Sequence, residues 1–323
     1  CKNIKFFDNV KANLKCSGSG GGINNEEANS EELVLSKYYF AGGCARWMFE
    51  FDYSRWQRDF NEHLLKVNDY NQLFRSGGGE QTAIAVNHLR GVTLVKTEGS
   101  VEKAFFFISE HAVATLAEKC SDIKTFFIDS YKKASDTKNP AYFGWIFEFD
   151  FDYQLQNAEK KELEFYNSLP TEKKVVGTYI EFSSVTDLGT AIKSFEVGKV
   201  LWAKPQLWCQ KAYDFLCFWK DDADAERINM VVVNATVAQT HSVLLYEVNS
   251  LASALGNEDI GTPISAIRFD FAIPIGMQFT GGDVCGQICA WDSMDGKKWP
   301  NAVSFNQYVD AKCINVVEVA RTM

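Results

Sequence analysis

The 323-residue chain has little positive charge and no phosphate-binding loop. With 33 Lys and Arg against 42 Asp and Glu, its formal net charge is −9 and its pI is about 5.1. This balance gives no overall electrostatic attraction for nucleic acid, so any DNA site has to be a local patch. No G-x-x-x-x-G-K-[ST] segment occurs, and the glycine-rich linker at residues 16–23 is followed by no Lys-Ser or Lys-Thr. We therefore expect no ATP site in this chain.

Long apolar runs and paired cysteine motifs are absent as well. No stretch has the pattern of a signal peptide, a transmembrane span or an amphipathic anchor, which predicts a soluble chain. The nine cysteines are scattered and include no C-x-x-C pair, which favours buried free thiols in a reducing compartment. Cys285 and Cys289 would bind a metal only with two further ligands, and the sequence identifies none. Because the chain starts at Cys1 rather than Met, we expect that an N-terminal region has been removed.

The first 138 residues predict a small, mostly helical domain. Ser30 is a suitable N-cap, and acidic residues follow it in the first helical turn. Ala41-Gly42-Gly43 ends this helix. Further elements are expected at residues 45–67 (one or two helices), 89–95 and 104–108 (strands) and 110–119 (helix). Turn-forming residues at 135–140 place the domain boundary there, and residues 76–79 form a second linker.

The second part has an element order that is typical of a mixed α/β sandwich. A helix that Pro170 ends is expected over residues 145–169, and apolar periodicity predicts another over residues 239–255, followed by Gly256. Strands are expected at residues 175–184, 212–219, 228–236 and 265–275. The order is therefore helix, three strands, helix, strand, which makes the fold class α/β.

Polar side chains stand at defined places in this order. Glu148 lies in the first helix, Asp214 begins the second strand, and Asn234-Ala235-Thr236 ends the third. His241 follows at the head of the second helix. An acid on a helix, an acid at one strand and a polar pair on the next are the layout of a metal-dependent nuclease core.

This layout resembles the restriction-endonuclease-like nuclease fold. In that fold the helix Glu and the strand acids hold Mg²⁺, and a Lys two residues after the last acid orients or activates the water. The resemblance implies Glu148, Asp214 and Asn234 as metal ligands, Thr236 as the residue that positions water, and His241 as an aid to phosphate binding or proton transfer. Because Asn234 is neutral and Thr236 carries no positive charge, metal affinity and water activation are expected to be weaker.

Short motifs in a fixed order narrow the resemblance. They are Gly42-Gly43 with Arg46, Asn139-Pro140, residues 144–151, Trp202 with Pro205, Tyr213-Asp214, and Asn234-Ala235-Thr236 with His241. Over residues 33–255 they resemble the Crinkler effectors of oomycetes and fungi, which are related to the trypanosome retrotransposon-hot-spot proteins. The first motif is similar to the segment after their nucleotide-binding core, and the others are similar to their nuclease-like carboxy-terminal domain. Where relatives carry Gln or Glu, this chain has Asn234.

The resemblance implies two domains and a cellular role. Residues 1–138 would be a lid-like helical domain of the kind that follows an ATPase core, and residues 139–323 a restriction-endonuclease-like α/β sandwich. The implied protein is a secreted virulence effector that enters the host cell, commonly its nucleus, and acts on host DNA or host protein. The implied cofactor is Mg²⁺, and neither a membrane nor ATP is an expected partner.

Two function classes remain open. The chain is a weak or host-activated metal-dependent DNA nuclease, or it is a decayed nuclease fold that serves as a platform for host protein or DNA. The retained Glu148 and Asp214 favour the first class, whereas the acidic net charge and Asn234 favour the second. A cysteine protease that uses Cys209 and His241 is a more distant alternative, since no nucleophile motif surrounds Cys209.

Each candidate residue also has a purely structural interpretation. Glu148 and Asp150 alternate with phenylalanines, so on a helix at least one of the two carboxylates is expected to face solvent. The other candidates fit positions at strand and helix ends, where side chains satisfy backbone groups: Asp214, Asn234, Thr236 and His241.

Overall fold

The computed structural model describes residues 30–42, 44–67, 89–97, 100–157, 177–206, 212–220, 224, 226–288, 291–294, 296–300 and 304–321. It is a mixed α/β structure whose chain divides into two compact units, residues 1–146 with 322–323 and residues 147–321. The division falls within a helix, eight residues after the boundary that the sequence predicts at 138.

The first unit consists of helices and one antiparallel hairpin. Its described elements are α1 (Ser30–Ala41), α2 (Ala45–Phe49), α3 (Tyr53–Leu65), β1 (Arg90–Thr97), β2 (Ser100–Phe107), α4 (Glu110–Lys119) and α5 (Ile123–Thr137). The predicted helix region at 45–67 is two helices, and the predicted strands and the helix at 110–119 are confirmed. Helix α5 was not predicted. The linkers at 16–23 and 76–79 lie outside the described residues.

Gly42 ends helix α1 for a steric reason. Its φ is +53°, in the left-handed region that glycine adopts without penalty. A Cβ at this position would come 1.6 Å from the carbonyl oxygen of Ile108. Only glycine therefore allows the backbone to approach that closely at the position where the sequence predicts the helix end.

The junction at residues 135–140 is tighter than predicted. Residues 135–137 are the last turn of α5 rather than a loop, and Lys138 closes the helix with a φ of 51°. The side chain of Asn139 then accepts a hydrogen bond from the backbone N–H of Tyr142 at 3.1 Å. Pro140 is the first residue of the next helix, where its fixed φ and missing N–H cost nothing.

Helix α6 (Pro140–Gln156) carries the predicted acidic residue Glu148. It starts five residues before the predicted start at 145. Residues 158–176, which include the predicted stop at Pro170, lie outside the described residues. Glu148 and Asp152 are one helical turn apart and so project from the same face of α6.

The second unit is built around a mixed sheet. Its elements after α6 are β3 (Gly177–Phe182), α7 (Val185–Ser194), β4 (Val200–Pro205), β5 (Phe215–Lys220), β6 (Ile228–Ala235), β7 (Val243–Leu244), α8 (Leu245–Leu255), β8 (Ile264–Pro274), β9 (Val284–Cys285), β10 (Asp292–Ser293), α9 (Phe305–Asp310) and β11 (Ile314–Val319). The four predicted strands are present as β3, β5, β6 and β8. Helix α7, strand β4 and the elements after β8 were not predicted.

The predicted start of helix α8 was wrong. Residues 239–242 precede strand β7, which pairs with β9, and α8 begins only at Leu245. The backbone carbonyl oxygen of Asp283, the residue before β9, accepts the backbone N–H of Val243 at 2.8 Å. The backbone groups of this segment therefore bind another strand rather than the next helical turn.

The seven strands of the main sheet run in the order β10-β8-β6-β5-β4-β3, with β11 also beside β8. Strand β5 is antiparallel to both β4 and β6, so these three form a meander. Helix α8 then carries the chain to β8, which is parallel to β6. Strand β3 adds to the other edge, parallel to β4.

The two faces of this sheet have different coverings. We call them the α6 face and the α8 face. On the α6 face, the ring of Phe151 lies 5.2 Å from the ring of Phe215. On the α8 face, alternate strand residues such as Phe218 and Val232 share one buried core with Val248 of α8. Because strand side chains alternate, each strand residue belongs to one face or the other.

The described cysteines are free thiols, as the sequence predicts, but only two of the five are buried, Cys217 and Cys313; the other three are partly exposed: Cys44, Cys120 and Cys285. Cys289, the possible metal partner of Cys285, lies outside the described residues. None of the helices in the described part of the chain is long and apolar enough to cross a membrane.

Candidate functional site

Asp214 joins the start of β5 to the end of β6. Its backbone N–H donates to the carbonyl oxygen of Val233 at 3.0 Å. Its side-chain Oδ2 accepts the backbone N–H of Ala235 at 2.8 Å. The side chain is thereby held at the sheet edge where β5 begins and β6 ends, beside the Asn234-Ala235-Thr236 segment.

Glu148 lies within electrostatic range of Asp214. Glu148 is half-buried, and burial of its carboxyl, followed by the negative charge of Asp214, raises its pKa to about 8. Such an effect of one carboxylate on another requires that the two groups are near each other in a poorly solvated place. The structure therefore brings together two residues that are 66 positions apart in the sequence and that sequence reasoning assigned to one site.

Lys204 and Asp152 are further members of this cluster, and sequence reasoning missed both. The Nζ of Lys204 lies 2.6 Å from Oδ2 of Asp152, and its positive charge lowers the pKa of Glu148, whereas the charge of Asp152 raises it. The hydroxyl of Tyr179 donates to the other oxygen of Asp152 at 2.6 Å. Asp152 is almost fully buried, with a relative accessibility of 3%, and both of its oxygens are bound.

One sequence signal pointed to Asp152, and none pointed to Lys204. The spacing of Glu148 and Asp152 is that of two residues on one helix face. Lys204 stands in strand β4, which begins with the apolar run Val200–Ala203 and is too short to be assigned by periodicity alone.

Asn234 and Thr236 lie next to Asp214 in the backbone but belong to the α8 face. In the pairing of β5 with β6, Phe215 stands opposite Val233, so Val233 and Ala235 share the α6 face and Asn234 and Thr236 the other. The side-chain amide of Asn234 donates to the carbonyl oxygen of Ala212 at 3.3 Å.

Thr236 follows strand β6 and holds the turn after it. Its Oγ1 accepts the backbone N–H of Ala238 at 3.1 Å, and its own N–H donates to the carbonyl oxygen of Ala272 at 2.9 Å. Thr236 therefore satisfies backbone groups at the end of strand β6, which is the structural alternative expected from the sequence.

His241 is near this segment but on the side of Phe271. The two rings lie 5.6 Å apart, and Nδ1 contacts the carbonyl oxygen of Ser242 at 2.9 Å. Burial lowers the pKa of His241, so the ring is neutral at pH 7. With Nδ1–H donating to Ser242, the Nε2 atom is left as the acceptor. A neutral ring of this tautomer suits proton transfer better than attraction of a phosphate.

Of the two acids expected to include one that faces solvent, only Glu148 is partly exposed. Asp150 is fully buried and accepts a hydrogen bond from Nε2 of Gln154 at 3.1 Å, while Glu148 is half-buried. Helix α6 is covered on more than one side. The alternation of acids with phenylalanines therefore does not distinguish a solvent-exposed face from a buried one.

Carboxylate oxygens suit Mg²⁺, and among the described residues Glu148 and Asp214 are candidates to supply them. Asp152 is bound to Lys204 and Tyr179. Within the described ranges, no group of three His, Cys, Asp or Glu side chains is arranged to hold a metal ion. The carboxylates of Glu148 and Asp214 nevertheless suit a divalent cation, because the cation would offset the repulsion that helps to raise the pKa of Glu148.

Comparison of this chain with known protein families, with curated proteins and with solved structures found no match.

Proposed function

We propose that the second unit is a restriction-endonuclease-like, divalent-metal-dependent DNA nuclease domain. What supports the proposal is the electrostatic influence of Asp214, at the start of β5, on Glu148 of α6, whose pKa is raised to about 8 by burial and by that charge. Strongly raised carboxyl pKa values concentrate at functional sites because a protein gains no stability from holding two such charges together.

The topology supports the same proposal. Helix α6 is followed by the antiparallel meander β4-β5-β6, by helix α8 and by the parallel strand β8. The three strands predicted from the sequence were β3, β5 and β6, and α7 and β4 lie between the first two of them. The three-strand unit that suits the nuclease fold is the meander β4-β5-β6 instead. Strand β3 and helix α7 are an addition between α6 and the meander.

The proposed reaction is hydrolysis of a phosphodiester. A water oxygen adds to phosphorus, the bond from phosphorus to one sugar oxygen breaks, one water proton passes to a base or to solvent, and the leaving alkoxide takes up a proton. Mg²⁺ held by Glu148 and Asp214 would supply positive charge for the phosphate and for the attacking water. Asn234 shares the α8 face with Thr236, so in this proposal it keeps its hydrogen bond to the carbonyl oxygen of Ala212 and does not bind the cation.

The remaining predicted residues have narrower roles in this proposal. Thr236 belongs to the α8 face and holds the turn after β6 by accepting the Ala238 N–H, so in this proposal it does not position the water. His241 would accept a proton at Nε2, because its pKa is lowered and the ring is neutral at pH 7.

The proposed cellular role rests on the sequence resemblance. The chain would be a Crinkler-like virulence effector that is secreted, enters the host cell and acts in the host nucleus on DNA. Microscopy of host cells that express the tagged chain tests the location. Scoring of cell death with the wild type and with the Asp214→Asn variant tests whether toxicity depends on the site.

Plasmid nicking tests the nuclease proposal directly. Supercoiled plasmid is incubated with the full chain and Mg²⁺ or Mn²⁺, alongside Asp214→Asn and the matched surface variant Asp259→Asn, which replaces an exposed acid. We expect nicking by the wild-type and Asp259→Asn proteins, none by Asp214→Asn, and none with a chelator. Equal nicking by all three proteins would show a contaminant and reject the proposal.

A decayed nuclease fold that binds host protein or DNA is the second candidate. It is favoured by the hydrogen bond of Asn234 to Ala212 and by the Lys204 and Tyr179 contacts that occupy Asp152. A wild-type protein that never nicks DNA but binds a duplex equally well with and without divalent ions would establish it.

A further inference from the structure

We infer that Lys204 is the cationic residue of the Glu148–Asp214 site, and that its ammonium contacts a non-bridging oxygen of the bound phosphodiester. This inference rests on the proposed nuclease function and adds the residue that the Asn234-Ala235-Thr236 segment lacks. The sequence shows no lysine at position 236, where the nuclease fold would carry one.

The sheet register places Lys204 on the α6 face, which is covered by the helix that carries Glu148 and Asp152. Across β4 and β5, Ala203 stands opposite Leu216, so Lys204 comes next to Phe215 and shares the α6 face with it. The Lys204 Nζ lies 5.6 Å from the centre of the Phe215 ring. Thr236 belongs to the α8 face, so a lysine at position 236 would project away from helix α6.

Two contacts fix Lys204 through Asp152. The Asp152 carboxylate binds Lys204 Nζ through one oxygen and the Tyr179 hydroxyl through the other, both at 2.6 Å. The side chain of Asp152 is 4% exposed and that of Lys204 is 26% exposed. The anchoring carboxylate is therefore dry, while part of the lysine remains open to solvent and to a ligand.

This arrangement divides the carboxylates between two tasks. Asp152 pairs with Lys204, and Glu148 and Asp214 supply the carboxylates proposed to bind the divalent cation. Asp152, which holds the ammonium, lies one helical turn from Glu148 in α6, and the ammonium lies 5.6 Å from the ring of Phe215, the residue after Asp214, so the ammonium and the acidic pair belong to one site. As negative charge builds on the phosphate during attack by water, a fixed ammonium stabilises it without giving up a proton. Asp152 and Tyr179 act through Lys204 and are positioning residues.

The test removes the positive charge at position 204 and then introduces a lysine at position 236. Lys204→Met removes the positive charge and keeps a side chain of similar length. Lys204→Gln removes the charge with a polar side chain, and Lys204→Arg keeps the charge. Lys199→Met is the matched control, because Lys199 is an exposed lysine one residue before the same strand, paired only at the surface with Glu196. The double variant Lys204→Met with Thr236→Lys asks whether a lysine at position 236 restores function. Circular dichroism confirms that each protein is folded.

Three measurements are made on every variant: Mn²⁺-dependent plasmid nicking, binding of a fluorescent DNA duplex in the presence of Ca²⁺, and NMR titration of the Glu148 carboxyl group. The Glu148→Gln variant assigns the NMR signal. We expect nicking to fall about 100-fold in Lys204→Met and Lys204→Gln and to stay within a few-fold of wild type in Lys204→Arg and Lys199→Met. We expect Thr236→Lys not to restore it. The pKa of Glu148 should rise in the two neutral variants and return in Lys204→Arg.

The outcomes separate this inference from the nuclease proposal. If the wild type nicks DNA and Lys204→Met nicks equally well, Lys204 is not the cationic residue and the nuclease proposal stands. If the wild type does not nick, the nuclease proposal fails. Weaker DNA binding by Lys204→Met than by Lys199→Met would then still place Lys204 at a phosphate site. Equal or undetectable DNA binding in that case overturns the inference, and so does a double variant that recovers full activity.

Discussion

The Asp214 carboxylate accepts the backbone N–H of Ala235 at 2.8 Å, so the residue proposed to bind metal also ties β5 to β6. A hydrogen bond to a charged acceptor contributes about 1.5 to 3 kcal/mol. We therefore predict that Asp214→Ala lowers the free energy of unfolding by about that amount, while Asp214→Asn, which keeps an acceptor oxygen, loses less.

Urea unfolding at pH 7 measures this difference, with Asp259→Asn as the exposed control. Both Asp214 variants should also lower the pKa of Glu148, because the neighbouring negative charge is gone. Equal destabilisation by Asn and Ala would mean that the contact with Ala235 contributes nothing.

The stability of the protein should depend on pH through Glu148. Its pKa is about 8 in the folded chain against 4.5 as the ordinary value, so between these pH values the folded state holds a proton that the unfolded state has lost. Stability should thus fall as pH rises through this window, by at most about 1.4 kcal/mol per pH unit, and level off above pH 8.

Glu148→Gln removes this titration. Its advantage in free energy of unfolding over the wild type should be small near pH 4.5, grow towards pH 8 and then stay constant. Chemical unfolding at four or five pH values gives the curve. A difference that does not change with pH would contradict the raised pKa.

Binding of a divalent cation should release a proton at neutral pH. Glu148 is mostly protonated at pH 7, and a cation between it and Asp214 lowers its pKa. Titration calorimetry with Mn²⁺ in buffers of different ionisation enthalpy should show release of about one proton per ion at pH 7 and almost none at pH 9. Glu148→Gln should bind more weakly and release none. Release that is the same at both pH values would assign the proton to another group.

Asn234→Asp should destabilise the metal-free protein. The Asn234 amide donates to the Ala212 carbonyl oxygen, and a carboxylate there would place two acceptors together in a buried position, at a cost of about 1 to 3 kcal/mol. Thermal unfolding with a chelator measures the loss. Recovery of the lost stability on addition of Mn²⁺ would assign Asn234 to the metal, and no recovery would leave the metal to Glu148 and Asp214.

How much of the fold was predictable depended on the length and pattern of each element. The helix at 110–119 and the strands β6 and β8 were predicted to within about two residues, because long amphipathic or apolar segments have distinct periodicities. Strand β4 was missed because it contributes only a short apolar run that fits either a strand or a helix. The start of α8 was wrong because β9, 41 residues later, pairs with residues 243–244.

The sequence alone determined that Glu148 and Asp214 occur on a helix and at a strand start, since the types and order of those elements follow from local pattern. Only the tertiary structure decided what surrounds them. The Lys204–Asp152 contact joins residues 52 positions apart, and it exists because β4 pairs beside β5 and helix α6 covers that face. The face to which Thr236 and Lys204 belong was likewise set by strand register, in which a shift of one residue reverses every side chain, and register depends on partners that no local window of sequence contains.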